Sequence, residues 1–500
     1  MKRSKFSLSN YKVLSANMGS LIPIGLTEVL PGDTIQQATS VLCRLSPMLA
    51  PVMHPVHMKV HHFFVPNRIL WDDWEDFITG GPDGFNDSDF PTIGAPAQGF
   101  GIGSLADYLG VPPSAANLRV SALPFRAYAK IFNDWFRDQD LQAELPLATT
   151  SGVDSTTNRT LQNSAWEKDY FTTCRPWTQK GPEITLPLGK KAIVSHDVPS
   201  SGGTGTNDRL SAYSTAAGSF RSLGQQSTTY INSSTDVSDV SRSLYADLST
   251  ATAATINQLR EAFALQRYEE ARARYGSRYT EYLRYLGIRS SDARLQRSEY
   301  LGGGTQTIQI SEVLQTGPEN GGGGPSTPGG VADLYGHGIG AMRSNRYRKF
   351  FEEHGYVLTL LSVKPKTMYT QGLHRHWNRR TKEDFFQKEL QHIGQQEVLN
   401  KELYADGTAA DDNTFGYQDR YDEYRRCESS IAGEFRTSEL DFWHMARIFQ
   451  TRPTLNADFI KSVPTDRIFQ VKTNDVLWVM ANHSIQARRI VSKTGTSYIS

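Results

Sequence analysis

The sequence predicts a mainly β protein, an antiparallel barrel or sandwich elaborated by long insertions and several helices. Three observations carry this. Stretches rich in β-branched and aromatic residues, one of them strictly alternating, are dispersed along all 500 residues. Long excursions separate them, and the regular strand-helix alternation of βαβ units does not occur. The length suits about two to four domains or one large β domain with insertions, and 38% hydrophobic with 21% charged residues is a globular composition.

The first twelve residues, MKRSKFSLSNYK, hold Lys2, Arg3, Lys5 and Lys12 and no acid. In residues 53–65, MHPVHMKVHHFFV, Val, His and Phe alternate between prolines, which favours an extended strand. On that strand Val56, Met58, Val60, His62 and Phe64 share one face, and His57, Lys59, His61, Phe63 and Val65 the other. His57 and His61 are then about 13 Å apart at roughly 3.3 Å per residue, too far to share a metal. With Trp71 and Trp74 just beyond, they stand as candidate interface residues. After Pro66 the spacing of Leu70, Trp74, Phe77 and Ile78, stopping at Gly80 and Gly81, predicts a short helix. A second helix begins at Pro124, with Phe125, Tyr128, Phe132, Trp135 and Phe136 on one aromatic face.

From about 195 to 253 the texture turns to Ser, Thr and Gly, with few residues able to build a core; this is a disordered linker or an outward-facing insertion. Thr255 with Gln258 then forms a capping-box pattern before one helix, or a pair broken near Gly276, carrying Tyr275, Tyr279, Tyr282, Leu283 and Leu286 at helical spacing. A Gly-rich loop at 317–330 precedes a buried strand in HGYVLTLLSVKPKTMY that ends at Pro365. Towards the end, SELDFWHMARIF reads as a capped helix, and RIFQV and DVLWVMANHSIQARRIV as closing strands.

Lys and Arg number 53 against 52 Asp and Glu, so the whole chain is not a basic nucleic-acid binder. The distribution is uneven. Residues 343–349, RSNRYRK, and 364–382, KPKTMYTQGLHRHWNRRTK, hold no acid and interleave cations with Tyr347, Tyr369 and Trp377; the C-terminal stretch adds Arg488, Arg489 and Lys493. Such stretches track phosphates and stack unpaired bases, or equally contact acidic faces of other subunits. The candidate DNA contacts are Lys2, Arg3, Lys5, Arg343, Arg346, Arg348, Arg375, Arg379, Arg380, Arg488 and Arg489.

Three dispersed cysteines, Cys43, Cys174 and Cys427, support neither a disulfide framework nor a zinc site. No apolar leader core and no run of about 18 apolar residues occurs, so a protein made in the cytoplasm without a membrane span is expected. His374 and His376 form an HxH pair that, on a strand, aims both rings to one side, as in metal-binding jelly rolls of the cupin kind; Arg380 and Thr381 stand where the next carboxylate ligand is needed. GIGSLA at 101–106 and GHGIGA at 336–341 match GxGxxA outside any βαβ unit and read as glycine turns. Asp411, Asp412, Asp419 and Asp422 lack EF-hand spacing and read as a solvated face. Neither a P-loop nor a hydrolase elbow is present, and no catalytic residue, metal or cofactor is expected.

Seven stretches taken in order resemble the major capsid proteins of gokushoviruses, small single-stranded DNA phages of the Microviridae. They are HPVHMKVHHFFVPNRILWDDWEDFITGG, LPFRAYAKIFNDWFRDQDLQ, KDYFTTCRPWTQKGPEITLPLG, DARLQRSEYLGG, QGLHRHW, QHIGQQEVLNKELYADGTAADDNTFGYQDRYDEYR and LDFWHMARIF, within roughly residues 5 to 460. The resemblance implies an eight-stranded antiparallel jelly roll of the viral capsid type, with long interstrand insertions. Copies of it are expected to assemble into a T=1 icosahedral shell around a circular single-stranded genome, with no enzyme activity. A variable insertion after the LPLG of residues 186–189 is expected to protrude at the threefold axes and mediate host attachment, where composition alone marks the Ser/Thr/Gly-rich segment. Asn207, Tyr213, Phe220 and Tyr230 are its candidate attachment residues.

By this resemblance residues 1–190 form the N-terminal part of the jelly roll with helical insertions, 191–253 the protruding insertion, 254–330 a helical segment and Gly-rich loop, and 331–500 the C-terminal part. The implied partners are further copies in pentamers and threefold contacts, packaged single-stranded DNA, a host-surface receptor, and a small basic internal DNA-binding protein. A near-neutral shell calls for the last, or for free cations, because it cannot neutralise a genome by itself. The ending RRIVSKTGTSYIS departs from the Pro-Gly-rich segment common in the family. Residues 1–12 and 343–382 are expected toward the lumen or subunit contacts and 195–253 outside, in a virion assembled in the bacterial cytoplasm. The alternatives are a cupin-like metal-binding enzyme and a jelly-roll carbohydrate-binding protein.

Overall fold

Ten stretches fold as the strands of one antiparallel sheet in a computed structural model: β1 Ser4–Ser7, β2 Asn10–Ala16, β3 Ile22–Val29, β4 Thr34–Leu45, β5 Val56–Pro66, β6 Glu299–Leu314, β7 Leu334–Arg343, β8 Tyr347–Phe350, β9 Gly355–Pro365 and β10 Leu477–Arg489. The structure describes residues 3–182, 184, 193–195, 211–214, 219–222, 245–247, 256–276, 278–289, 291–314, 316 and 334–493. They divide into two units, one of Met1–Thr178 with Ser277–Ser500 and one of Gln179–Gly276. The sheet belongs wholly to the first.

The strand order is β1-β10-β4-β7-β6-β5-β9-β3, with β2 also paired to β10 and β8 to β4. Counted 1 to 8 along the chain, the long strands β2, β3, β4, β5, β6, β7, β9 and β10 fall into halves ordered 1-8-3-6 and 2-7-4-5. Two interlocked Greek keys generate this order. The β6-β7 hairpin, Gln309 opposite Ile339 to Leu314 opposite Leu334, joins the halves.

The sheet curls on itself so that both halves contribute to one core. Ile22, Ile24, Val56, Met58, Val60, Leu361 and Val363 come from one half, and Val41, Cys43, Leu45, Leu477, Val479 and Ala481 from the other. β5 obeys the expected alternation, Phe63 and Val65 pointing into a second core with Leu70, Trp71, Phe125, Tyr128 and Ile131. Its outer face is therefore covered too, and a strand buried on both sides needs apolar residues at nearly every position.

The covering layer contains two of the expected helices, those starting at Trp74 and Leu123. α1 (Trp74–Thr79) stops at Gly80, left-handed at φ 88°. α2 spans Leu105–Leu109. α3 (Leu123–Ile131) carries proline in its first turn and continues into a π-helical turn at Phe132–Phe136, laying its aromatic face over β9. α4 (Ile256–Tyr275) belongs to the second unit and α5 (Tyr279–Tyr285) to the first, so the helical pair does break beside Gly276. In the second unit Ser211–Ser214 pairs with Ser219–Ser222, and Ile193–Ser195 with Tyr245–Asp247.

Five expectations fail locally. SELDFWHMARIF forms only a 3-10 turn at Asp441–Trp443, because the backbone beyond it finds distant partners: Arg467 donates to the carbonyls of His444 (2.9 Å) and Ala446 (3.0 Å), and the Arg447 amide donates to Met368 (2.8 Å). RIFQV is a turn, closed by the Phe469 amide on Asp466 (3.0 Å). GHGIGA is no turn but part of β7. A Cβ on Gly336 would lie 2.2 Å from the Ala50 carbonyl oxygen, so glycine is there for close packing rather than for bending. Asp411 and Asp422, expected on a solvated face, are buried. His374 precedes a 3-10 turn, Arg375–Asn378, and His376 lies within it, instead of both lying on a strand. The Gly-rich loop at 317–330, Thr255 and residues 186–189 lie outside the described residues.

Candidate nucleic-acid interface

The two halves of the sheet differ in what their outer faces carry. That of β3-β9-β5-β6 lies largely under the chain's own helices. That of β2-β10-β4-β7, widened by β1 and β8, is open. Odd-numbered residues of β4 point inward, Val41, Cys43 and Leu45 among them, so the even-numbered ones point out.

Register carries this parity across the neighbours. Lys5 lies opposite Arg488, which lies opposite Thr34; Arg348 lies opposite Gln36, Arg343 opposite Ser40, and Trp478 opposite both Ser15 and Arg44. Arg3 continues the parity of Lys5; it donates to the Gly32 carbonyl (2.9 Å) and Thr34 Oγ1 (3.0 Å) and sits 5.5 Å from the Phe350 ring centre. Arg3, Lys5, Arg44, Arg343, Arg348 and Arg488 are all exposed on this face. The six strands contain no Asp or Glu, and none of the six cations forms a salt bridge among the described residues. Between them stand Tyr11 and Trp478, 74% and 48% exposed. Of the rim carboxylates, Asp475 accepts from Ser15 Oγ (2.6 Å) and Asn17 (3.1 Å), and Asp33, which feels the charge of Arg3, is paired with Arg489.

The other predicted DNA contacts are divided. Arg346 is exposed in the turn between β7 and β8, and Arg380 is exposed after the turn at Arg375–Asn378. Arg375 is engaged within the chain, 3.0 Å from Glu402 and 3.6 Å from Glu423; Arg379 lies 3.7 Å from Glu423 and 4.4 Å from the Tyr424 ring centre. Arg489 points the opposite way from Arg488 and meets the buried Asp33 at 2.9 Å. Lys2, Asn207 and Tyr230 lie outside the described residues, while Tyr213 and Phe220 are paired in register on the hairpin of the second unit. Sequence reasoning misses Arg44, Tyr11 and Trp478. The signal is present: in TIQQATSVLCRL, inward Val41, Cys43 and Leu45 alternate with outward Ser40, Leu42 and Arg44.

The histidines of β5 have individual surroundings. His57 Nδ1 and Lys59 Nζ both reach Glu167, at 3.0 and 2.8 Å. Burial raises that carboxyl, but the Lys59 and His57 hydrogen bonds outweigh it and hold Glu167 below the usual range. His61 is half-buried against Phe63, Phe136 and Tyr300, and the loss of solvent around its ring pushes its pKa down to about 4. His62 bridges Thr359 Oγ1 (2.9 Å) and Ser344 Oγ (3.0 Å) inside the sandwich. Trp71 is fully buried and donates to Ser151 Oγ (2.8 Å), whereas Trp74 is half-buried against His354. Trp71 therefore has no side-chain surface left for a neighbour, whereas His57, His61 and Trp74 remain partly exposed. No group of three metal-ligating side chains occurs among the described residues, and no described helix is long and apolar enough to cross a membrane.

A family profile described as "Capsid protein (F protein)" matches residues 1–498. The chain is 40% identical to the protein named capsid protein VP1 of Bdellovibrio phage phiMH2K, over 95% of this chain and 90% of that protein. It is 34% identical to capsid protein VP1 of Chlamydia phage 1, over 94% and 91%, and 34% identical to that of Spiroplasma virus 4, over 95% and 90%.

Proposed function

The chain belongs to the capsid protein (F protein) family of phages, structural proteins of the virion, and from that premise we propose that its copies close a T=1 icosahedral shell around a circular single-stranded DNA genome. The enzyme alternative falls with that membership. The 1-8-3-6 and 2-7-4-5 strand order supports reading the curled sheet as the viral jelly roll. Heterologous contacts between identical subunits, closing around symmetry axes, then give a finite shell.

The observation that carries packaging is the open half-sheet, whose six cations form no salt bridge among the described residues, on a chain of net charge +1. The rest of the molecule carries the compensating acid, so the cationic face has a direction, toward the polyanion. Much of the genome's charge remains for a small basic internal protein or free cations. Residues 191–253 form the outward insertion and contact the host receptor, with Tyr213 and Phe220 on its hairpin as attachment candidates. His57, His61 and Trp74 are the interface candidates. Residues 1–190 and 331–500, together with β6 (Glu299–Leu314) from within 254–330, build the shell wall.

Negative-stain microscopy of the purified chain, with and without single-stranded DNA, tests the proposal. Closed particles of uniform diameter are expected. Monomers alone, in the presence of DNA and of the internal protein, refute it.

A further inference from the structure

We propose that the open face of β2-β10-β4-β7 with β1 and β8 seats the nucleic acid itself, as an extended single strand whose phosphates lie on the six cations and whose bases stack on Trp478 and Tyr11. This rests on the packaging reading above and adds to it a site, a strandedness and a mode of contact.

Charge complementarity selects the occupant. Six strands without a single Asp or Glu present Arg3, Lys5, Arg44, Arg343, Arg348 and Arg488 on one side. A polyanion satisfies all of them at once and releases condensed counterions in doing so. The aromatics select the strandedness. Trp478 stands directly across from Arg44 in the sheet, so an aromatic and a guanidinium occupy opposed positions on this face, where one can take a base and the other its phosphate. Splayed bases stack readily on aromatics of an open sheet, and a broad sheet face cannot enter the groove of a duplex as a helix or two-stranded ribbon does.

Spacing agrees. Outward residues recur about every 6.6 Å along a strand and about 4.8 Å across strands. A single strand, whose backbone is free to extend and bend, can follow either direction of that grid. The rival occupant is a second copy of this chain, whose remaining surface carries the compensating acid.

The test uses the unassembled full-length chain and a labelled oligothymidylate, with a duplex of equal length and heparin as comparison probes, titrated across a salt series. The triple variant Lys5→Gln, Arg348→Gln, Arg488→Gln is expected to lower the slope of log K against log salt by about 2, at roughly 0.7 for each phosphate no longer neutralised. Trp478→Ala is expected to weaken oligothymidylate binding roughly tenfold while leaving heparin binding unchanged, and Trp478→Phe to restore most of the affinity. All substituted side chains are exposed, and circular dichroism checks that each variant folds.

Unchanged oligothymidylate affinity and salt slope in both variants overturn the seat. So does a failure of self-association with DNA binding intact, which gives the face to a second copy. Particle formation by the unmutated chain is scored separately: particles without oligothymidylate binding overturn the seat and leave the capsid reading standing, whereas salt-sensitive, Trp478-dependent binding without particles supports the seat and counts against the shell.

Discussion

His62 shows how much one residue's role depends on what faces it. Along the chain it is one of four histidines in ten positions; in the fold it lies inside the sandwich, each ring nitrogen against a hydroxyl. A second buried histidine, His483, bonds Thr39 Oγ1 (2.9 Å) and the Ile24 carbonyl (3.0 Å) across the same interior. Burial, with His483 and His61 nearby, pushes His62 down to about 3, and burial holds His54 and His61 at about 4 and lowers His444 and His483. Unfolded histidine titrates near 6.5. The folded chain thus binds fewer protons than the unfolded one, so this stability is fully present above about pH 6.5 and is lost as pH falls toward 4 and below. Denaturant midpoints are expected to drop across that window, and His62→Phe to make the drop shallower. At neutral pH the same substitution is expected to cost about 1–3 kcal/mol, because the Ser344 and Thr359 hydroxyls lose their ring partner. An acid limb unchanged in the variant would assign the effect to other groups.

At the scale of elements, α3 is held to its neighbours by one buried ion pair. Arg126 is fully buried; its Nε donates to Asp154 (2.8 Å), Nη1 to the Leu70 carbonyl (3.0 Å) and Nη2 to the Thr150 carbonyl (2.8 Å). Asp154→Ala strands the guanidinium in the interior and is expected to cost about 3–5 kcal/mol in equilibrium unfolding; a cost under about 1 kcal/mol would mean that the carbonyls alone suffice. β7 offers a second check. Gly336→Ala forces a Cβ against the Ala50 backbone, whereas Gly94, with nothing within 4 Å of its added Cβ, provides the control. Gly336→Ala is expected to destabilise by about 1–3 kcal/mol and Gly94→Ala to be near neutral, read as melting temperatures. The GxGxxA pattern of β7 suggests a turn because a glycine needed for close packing looks the same in sequence as one needed for bending.

For the whole molecule, the division into Gln179–Gly276 and the remainder coincides with the shift to Ser, Thr and Gly seen from composition. If 191–253 faces outward in the particle, limited proteolysis of intact virions is expected to cut first within it, with cuts mapped by mass spectrometry. Protection of that segment while β-strand regions are cleaved would reverse the orientation. Such cleavage is expected to reduce host adsorption while leaving particles closed, because none of the ten sheet strands lies in the segment.

What the sequence determined by itself was local or family-wide: the two faces of β5, the stop of α1 at Gly80, the aromatic face of α3, and membership read from an ordered set of motifs. Those signals have periods of two or 3.6 residues, or reside in the motif itself, so they survive without knowledge of distant partners. Strands β1 to β3, β6 and β8 give no comparable signal, since short or glycine-bearing polar alternation is weak until a neighbour fixes its register. Only the tertiary structure decided which cations are available. Arg375, Arg379 and Arg489 meet carboxylates brought from elsewhere in the chain, while Arg44, with no basic cluster to mark it, joins Arg3, Lys5, Arg343, Arg348 and Arg488 on one open face. Salt-bridge partners and sheet register are long-range properties, and the free charge of a surface is what remains after both are satisfied.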